Sequence, residues 1–524
     1  MPPQRIAETV FTMFRHYSNP RGATFATRQF ACWMALGVAV GIAGCGTGPQ
    51  AEFQFRETTL KLIPEAQKSV KKTLKDGFGT PHDLVAWDRF PIGYGGVKGS
   101  VSAPAEGSRL AAKTVTVALD GGASKVASGA SLLWLSGSRA GEKTASDTVT
   151  GYDAKTNELK WSGSDEPIPT AGDVFIIGFG HALQQGRAVY MKNCMHCHGV
   201  SGDGNGSTAQ FLNPPPRDYR LGVFKFTSTL SAEKVSRDDL HRIVKYGIPG
   251  TYMPSFLLLG EEETKSAVEY VRWLAVRGEF EKRTDDDLGD FTEDAVADTV
   301  KKSKTAFDAA KITFDAAKKT GDKDAEKPES PAKPSDVRKS ATNAFAKFLA
   351  EDMEGAVEDT ATFLADAWTR ADDEASRIVP TQARVTDDAA SRERGRLLYL
   401  SDKTKCYTCH GMLGKGNGAA TEDFWKKPGS EELYSRRGLH DTWGNTLQPR
   451  NLTLGQYRGG RRPVDVFRRV YAGIKGTPMP GFGKTALKDA EIWDIVNFVM
   501  SLQYQSPQPA KTNAGGHVVA TGVP

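Results

Sequence analysis

Cys194-Met195-His196-Cys197-His198 and Cys406-Tyr407-Thr408-Cys409-His410 decide the reading of this chain. In each, two thiols stand three residues apart and a His directly follows the second. On one helical turn such thiols reach both vinyl groups of a haem, and the His lies under the iron. The alternatives are a disulfide at each pair or one Cys₄ zinc site shared between them. Neither needs a His after each pair, and neither accounts for what lies downstream.

Downstream stands an internal repeat. Asp239–Phe256, DLHRIVKYGIPGTYMPSF, aligns without gaps to Asp465–Phe482, DVFRRVYAGIKGTPMPGF, with ten of 18 positions identical, Gly-Thr-x-Met-Pro among them. Pro216-Arg217-Asp218 with Leu221-Gly222 matches Pro449-Arg450-Asn451 with Leu454-Gly455. Directly after each Cys-His motif comes Gly-x-x-Gly-x-Gly-Asn-Gly, at Gly199–Gly206 and Gly411–Gly418. The offset between copies moves from 212 at the cysteines to 233 at the Pro-Arg block and 226 at the methionines. The second copy therefore holds 21 extra residues around Thr421–Thr442 and lacks seven later. The GDGNG and GKGNG stretches follow Cys-His motifs rather than strands, so they read as turns and not phosphate loops.

These residues resemble class I c-type cytochromes, specifically bacterial dihaem forms, over residues 181–280 and 391–505. The resemblance implies a small helical fold around each of two covalently bound haem c groups, attached at Cys194, Cys197, Cys406 and Cys409. It implies crossed N- and C-terminal helices, which Gly186/Tyr190 against Tyr270/Trp273 and Gly395/Tyr399 against Trp493/Phe498 fit. It makes His198 and His410 the proximal iron ligands, and Met253 and Met479 the ligands on the opposite face. It also makes Pro216 and Pro449 the residues whose carbonyls accept the proximal His Nδ1–H, with Pro214 and Pro215 as rivals in the first copy.

The residues argue separately for the two methionines. A thioether is a soft ligand for haem iron and raises its potential relative to a second His. A following Pro, with fixed φ and no N–H, suits a rigid ligand-bearing loop. Arg217 and Arg450 are candidates for pairing with haem propionates. His181, His196, His241 and His440 lack a counterpart in the other copy and receive no role. Met195 and Met412 stand too near the proximal His to reach the far face.

Residues 29–45, QFACWMALGVAVGIAGC, follow Arg15, Arg21 and Arg28 and make a secretory signal, short for a membrane span of about 20 residues. Ile42-Ala43-Gly44-Cys45 resembles the lipobox of bacterial lipoproteins. That resemblance implies cleavage after residue 44 and lipidation of Cys45, which places the body outside the cytoplasm, on the periplasmic side. Without residues 1–44, which hold four Arg and one Glu, 64 basic and 62 acidic residues remain, a net charge of +2. So even a balance gives no support to nucleic-acid binding.

A length of 524 residues implies three or four domains. A composition of 39% hydrophobic and 25% charged residues with 54 Gly excludes a polytopic membrane protein and a wholly disordered chain. The expected architecture is mainly α: two class I cytochrome c domains separated by a helical hairpin, with a small β-rich N-terminal domain. Residues 45–112 read as a tether holding a helix around Thr58–Leu74. Residues 113–180 read as a β-barrel or sandwich, from the alternation of Val115/Val117/Leu119, Leu133/Leu135 and Val174/Ile176. Residues 281–390 read as the hairpin insert. Its stripes are Val300, Phe307 and Phe314, then Phe345, Leu349, Ala356, Thr360, Phe363 and Ala367, broken at 319–334. Residues 506–524 read as a disordered tail.

The expected function is electron transfer by a membrane-anchored dihaem cytochrome c, a donor to or haem subunit of a respiratory complex, with no small-molecule substrate. Its partners would be redox proteins such as a terminal oxidase or a quinol-oxidising complex. The alternative is a dihaem peroxidase-like enzyme with one open haem site, which requires Met253 or Met479 to be non-ligating.

Overall fold

Ala66, Val70, Leu74 and Phe78 recur every four residues and form the buried face of helix α2 (Pro64–Phe78), which follows a short α1 (Glu57–Lys61). The computed structural model describes residues 51–103, 113–120, 126–136, 147–163, 168–320, 326–483 and 486–505. The expected signal at 1–44, Cys45 and the tail at 506–524 lie outside the described residues. Among the described residues no helix is long and apolar enough to cross a membrane.

The tether expected over 45–112 is corrected for residues 52–103. The α1–α2 layer packs into the first helical domain, where the Phe78 ring meets Trp273 at 5.6 Å and Phe280 at 5.7 Å. The Thr59 hydroxyl donates to Glu281 at 2.9 Å and to Asp285 at 2.8 Å. A tether would leave an apolar stripe in water; burial of four such side chains favours packing by several kcal/mol, at about 1.5–3 kcal/mol for each large one.

The strands are β1 (Val97–Ala103), β2 (Thr114–Leu119), β3 (Leu132–Trp134), β4 (Thr148–Asp153), β5 (Glu158–Ser162) and β6 (Val174–Ile177). They form one antiparallel sheet in the order β3-β6-β1-β2-β5-β4. Its outer strands approach each other at the Ser131–Thr148 bridge, so the sheet curls around a single core instead of pairing as a sandwich. The β region thus starts at Val97 and not at residue 113. Two strands face opposite to expectation: Leu132 and Trp134, and Phe175 and Ile177, are buried, while Leu133, Leu135, Val174 and Ile176 are not. A one-residue shift exchanges the faces of a strand, and here the larger apolar area of Trp134 and Phe175 takes the inside.

The first helical domain contains α3 (His181–Asn193), α4 (Met195–His198), α5 (Arg237–Tyr246) and the 27-residue α6 (Glu261–Asp287). Then come α7 (Glu293–Lys319), α8 (Pro334–Glu351) and α9 (Met353–Arg370). The hairpin insert is therefore corrected in three respects. Helix α6 runs past residue 281, the second arm is divided at Asp352, and α9 belongs to the core of the first domain. Arg272 on α6 is fully buried, pairs with Asp372 at 3.1 Å and lies over the Trp368 ring at 5.0 Å. Helix α8 joins that core through Phe345, and α7 buries none of its residues fully, so α7 keeps most of the character of an arm.

The second helical domain contains α10 (Ala389–Tyr399), α11 (Cys406–His410), a two-strand turn β7 (Leu439–His440) and β8 (Thr446–Leu447), α12 (Pro463–Ala472) and α13 (Asp489–Ser501). In both domains the first and last helices cross on a glycine. A Cβ on Gly186 would stand 2.0 Å from the Ser266 carbonyl oxygen, and one on Gly395 would stand 2.0 Å from that of Asp494. Tyr190–Tyr270 and Tyr399–Phe498 ring pairs, at 5.1 and 5.3 Å, flank the crossings.

The two helical domains meet through the repeated helices α5 and α12. Arg242 on α5 bonds Asp239 at 2.9 Å and reaches Asp465 on α12 at 3.2 Å. Arg469 donates to the Thr227 carbonyl at 2.6 Å, and Lys475 to the Thr229 hydroxyl at 2.9 Å. Gly186→Ala and Gly395→Ala should each destabilise their own domain by about 3 kcal/mol, since backbone on the facing helix cannot yield as a side chain does. Gly355→Ala on α9, where a Cβ meets open space, should instead stabilise by about 0.5–1 kcal/mol. Scanning calorimetry of the three variants checks both signs.

Candidate cofactor sites

Helix α3 delivers the first Cys-His motif to the end of its axis, and α10 delivers the second after the short turn 400–405. The Tyr190 hydroxyl donates to the Gly199 carbonyl at 2.7 Å, and Tyr399 does the same to Gly411 at 2.7 Å. The glycine loops then fold back under the motif: Gly204 N–H donates to the His198 carbonyl at 2.9 Å and Gly416 N–H to that of His410 at 2.7 Å. Gly199 and Gly411 have φ of 75° and 78°, a conformation that glycine adopts without steric cost. These loops are turns, and their N–H groups are used on their own chain.

Each motif opens into a cavity. The first, of about 620 Å³, is lined by Cys194, Cys197, His198, Arg217 and Met253. The second, of about 420 Å³, is lined by Cys406, Cys409, His410, Arg450 and Met479. Both volumes lie in the range of about 300–1,000 Å³ usual for cofactor sites. The four thiols are unpaired, and the two pairs line different cavities, so neither disulfides nor a shared Cys₄ site is present. Burial pushes the Cys194 thiol up to about 12 and raises that of Cys406.

His198 Nδ1 lies 3.1 Å from the Arg217 carbonyl, and His410 Nδ1 lies 3.2 Å from that of Arg450. A carbonyl only accepts, so Nδ1 carries the proton and Nε2 keeps its lone pair for a metal. The expected acceptors, Pro216 and Pro449, are corrected by one residue. Their carbonyls face Gly204 and Gly416, where a Cβ would come within 2.7 and 2.3 Å of them. Proline sets the chain direction, and the next peptide turns its oxygen to the ring. Burial, partly offset by the Arg217 carbonyl, brings the His198 imidazole down to about 4, and burial lowers His410 too. Both rings are thereby held neutral, the form that binds a metal.

The two methionine loops are built alike. Thr251 accepts the Met253 N–H at 3.1 Å and donates to the Ile248 carbonyl at 2.8 Å. Thr477 accepts from Met479 at 3.3 Å and donates to Ile474 at 2.7 Å. The Met253 and Met479 carbonyls accept from Ile248 and Ile474 at 3.1 and 3.2 Å. Gly-Thr-x-Met is thus a closed turn that presents its methionine to the cavity. Met195 and Met412 line neither cavity. His241 pairs with Glu261 at 3.1 Å, and His440 stacks on Tyr434 at 3.8 Å.

Three residues of the cavity walls escaped the sequence reading. Trp443, from the segment between β7 and β8 in the second domain, enters the first cavity and carries the Arg217 guanidinium over its ring at 3.8 Å. Lys225 pairs with Asp441 at 2.9 Å; burial, then Arg217, brings it down to about 8. Arg458 lines both cavities. A signal for two of them was present. The second shared block continues past Leu-Gly as Val-Phe-Lys and Gln-Tyr-Arg, so Lys225 and Arg458 are equivalent positions. The indole Nε1 of Trp443 and Nε of Arg458 are buried donors without a hydrogen-bond partner, which fits a cofactor that brings acceptors to the cavity rim.

A family model described as cytochrome c oxidase, cbb3-type, subunit III matches residues 181–271, and a cytochrome c model matches residues 393–503. No curated protein matches. A solved chain of the Kuenenia stuttgartiensis reducing HAO-like protein complex aligns over 61% of this chain and 96% of its own, at 24% identity and a TM-score of 0.36, too low to carry an argument. Two cytochrome c domains are present, and with them two covalently bound haem c groups. Replacing Cys194 and Cys197 together by Ala should reduce covalent haem from two per chain to one, measured by pyridine haemochrome. The same change at Cys406 and Cys409 should remove the other.

Proposed function

We propose that this dihaem c-type cytochrome passes single electrons between redox proteins, and that His198 and Met253 would hold the haem iron in one domain and His410 and Met479 in the other. The observation that carries this reading is the identical construction of the two sites. In each, a backbone carbonyl orients the histidine and a threonine-closed turn presents the methionine. Haem iron supplies the reversible Fe(III)/Fe(II) couple, and a thioether ligand raises its potential relative to a second imidazole. The protein's own part is to fix both ligand-bearing segments, which keeps the reorganisation between oxidation states small, and to exclude water from the apolar walls.

An open substrate-binding haem would be expected to show itself as a difference between the two loops, and the loops are alike. The oxidised protein should therefore give two low-spin signals in EPR, the methionine–iron absorption band, and no rapid binding of carbon monoxide after reduction. Met253→Ala or Met479→Ala should convert one haem to a high-spin, carbon monoxide-binding form and leave the other unchanged. Rapid ligand binding by the unsubstituted protein would replace this reading with an enzymatic one.

The lipobox-like Ile42-Ala43-Gly44-Cys45 supports a lipid anchor on the outer side of a cytoplasmic membrane or within the periplasm, and a place beside a respiratory oxidase or quinol-oxidising complex. Three acyl chains, at about 0.8 kcal/mol per buried methylene, would hold the body firmly at the surface. Cys45→Ala should abolish incorporation of labelled palmitate and shift the protein from the membrane to the soluble fraction. Labelling that persists in the variant would overturn the anchor.

A further inference from the structure

The two cavities share a wall. Lys225, Phe226, Leu447 and Arg458 line both, so each domain contributes two residues to the boundary between the sites. Lys225 and Arg458 stand at the same position of the repeat, nine residues after Pro216 and Pro449. The interface through α5 and α12 has brought these equivalent cations together. By contrast Arg217 lines only the first cavity and Arg450 only the second.

The charges at this wall are unbalanced. Asp441 answers Lys225, but Arg458 forms no ion pair among the described residues, and its buried Nε has no acceptor. Burial, and then Arg450 nearby, lowers its pKa, so its neighbour is another cation. A half-buried guanidinium without a counter-charge is costly unless an anionic group meets it. Arg450 is occupied differently, by the Gln456 carbonyl at 2.8 Å and the Gln456 side-chain oxygen at 2.7 Å.

We propose that Lys225 and Arg458 form one cationic seat common to both haem sites, and that its unanswered charge, on Arg458, sets the reduction potentials of both haems together. A ferric haem carries one positive charge more than a ferrous one, and a nearby cation therefore favours reduction. A charge on the shared wall acts on two irons, whereas one lining a single cavity acts mainly on its own. The inference rests on the presence of the two haem c groups and is independent of the residue that fills the second axial position.

The test is a spectroelectrochemical titration of the full-length holoprotein. Arg458→Met should lower both potentials, by up to about tenfold in each reduction equilibrium constant, or about 59 mV for one electron. Arg217→Met and Arg450→Met should each move mainly one potential, and a different one. Arg458→Lys should restore both, which a merely structural role would not do. Because Asp441 answers Lys225, the double variant Lys225→Met/Asp441→Asn removes no net charge; it should leave both potentials nearly unchanged, and a fall in both as large as that of Arg458→Met would overturn the assignment to Arg458. A shift confined to one haem in Arg458→Met, or no shift in a variant that retains two haems, would overturn the proposal.

Discussion

Two glycine contacts hold this structure in place. At Gly186 and Gly395 the helix that carries the Cys-x-x-Cys-His turn touches the backbone of the last helix of its domain, closer than any side chain would permit. That contact sets the crossing, and the crossing sets where the turn points. Everything built on the turn inherits its position: the glycine loop beneath it, the carbonyl that orients the histidine, and the methionine turn that lines the same cavity. The tyrosine hydroxyl one turn beyond each crossing glycine ties helix and loop into one piece.

The repeated domains are alike in their sites and unlike in their surroundings. The first is wrapped by α1–α2, by the segment leading into the sheet and by α9, which bury helix α6 on nearly all sides together with Arg272 and Arg277. Such burial is tolerable because the charges have partners: Asp372 and the Trp368 ring for Arg272, Glu281 and the Phe53 ring for Arg277. Among the described residues the second domain has a shorter wrap, the stretch 378–386, whose Gln382 and Thr386 carbonyls accept from Trp493 and Asn497; its additional residues go into the segment around β7 and β8, which reaches across to the first cavity. The insertion therefore has a structural meaning: it places Trp443 and Asp441 against Arg217 and Lys225 and makes one cavity depend on both domains.

Where expectation and structure diverge, the cause is long-range packing. The α1–α2 segment has a regular apolar stripe, yet only the presence of Trp273 and Phe280 opposite makes it part of a core. In β3 and β6 the alternation was visible but its inward side was not, because the choice depends on which face meets Trp161 and Val149 across the curl. The acceptor for each imidazole moved by one residue because histidine and Pro-Arg peptide lie 19 and 40 residues apart, and only the folded loop sets which carbonyl faces the ring. Lys225 and Arg458 were within reach of the alignment, but without a partner across an interface two aligned cations carry no message.

The sequence by itself determined the chemistry of the sites. Two Cys-x-x-Cys-His motifs, two Gly-x-x-Gly-x-Gly-Asn-Gly loops and two Gly-Thr-x-Met-Pro turns are local patterns, each closed by hydrogen bonds over a few residues, and so each can be read in order along the chain. Tertiary structure alone decided which carbonyl meets each imidazole, which face of a strand turns inward, that the N-terminal layer and α9 enclose the first domain, and that the two cavities share a wall. Those outcomes depend on contacts between residues far apart in the chain, whose energies are settled only when both surfaces are present.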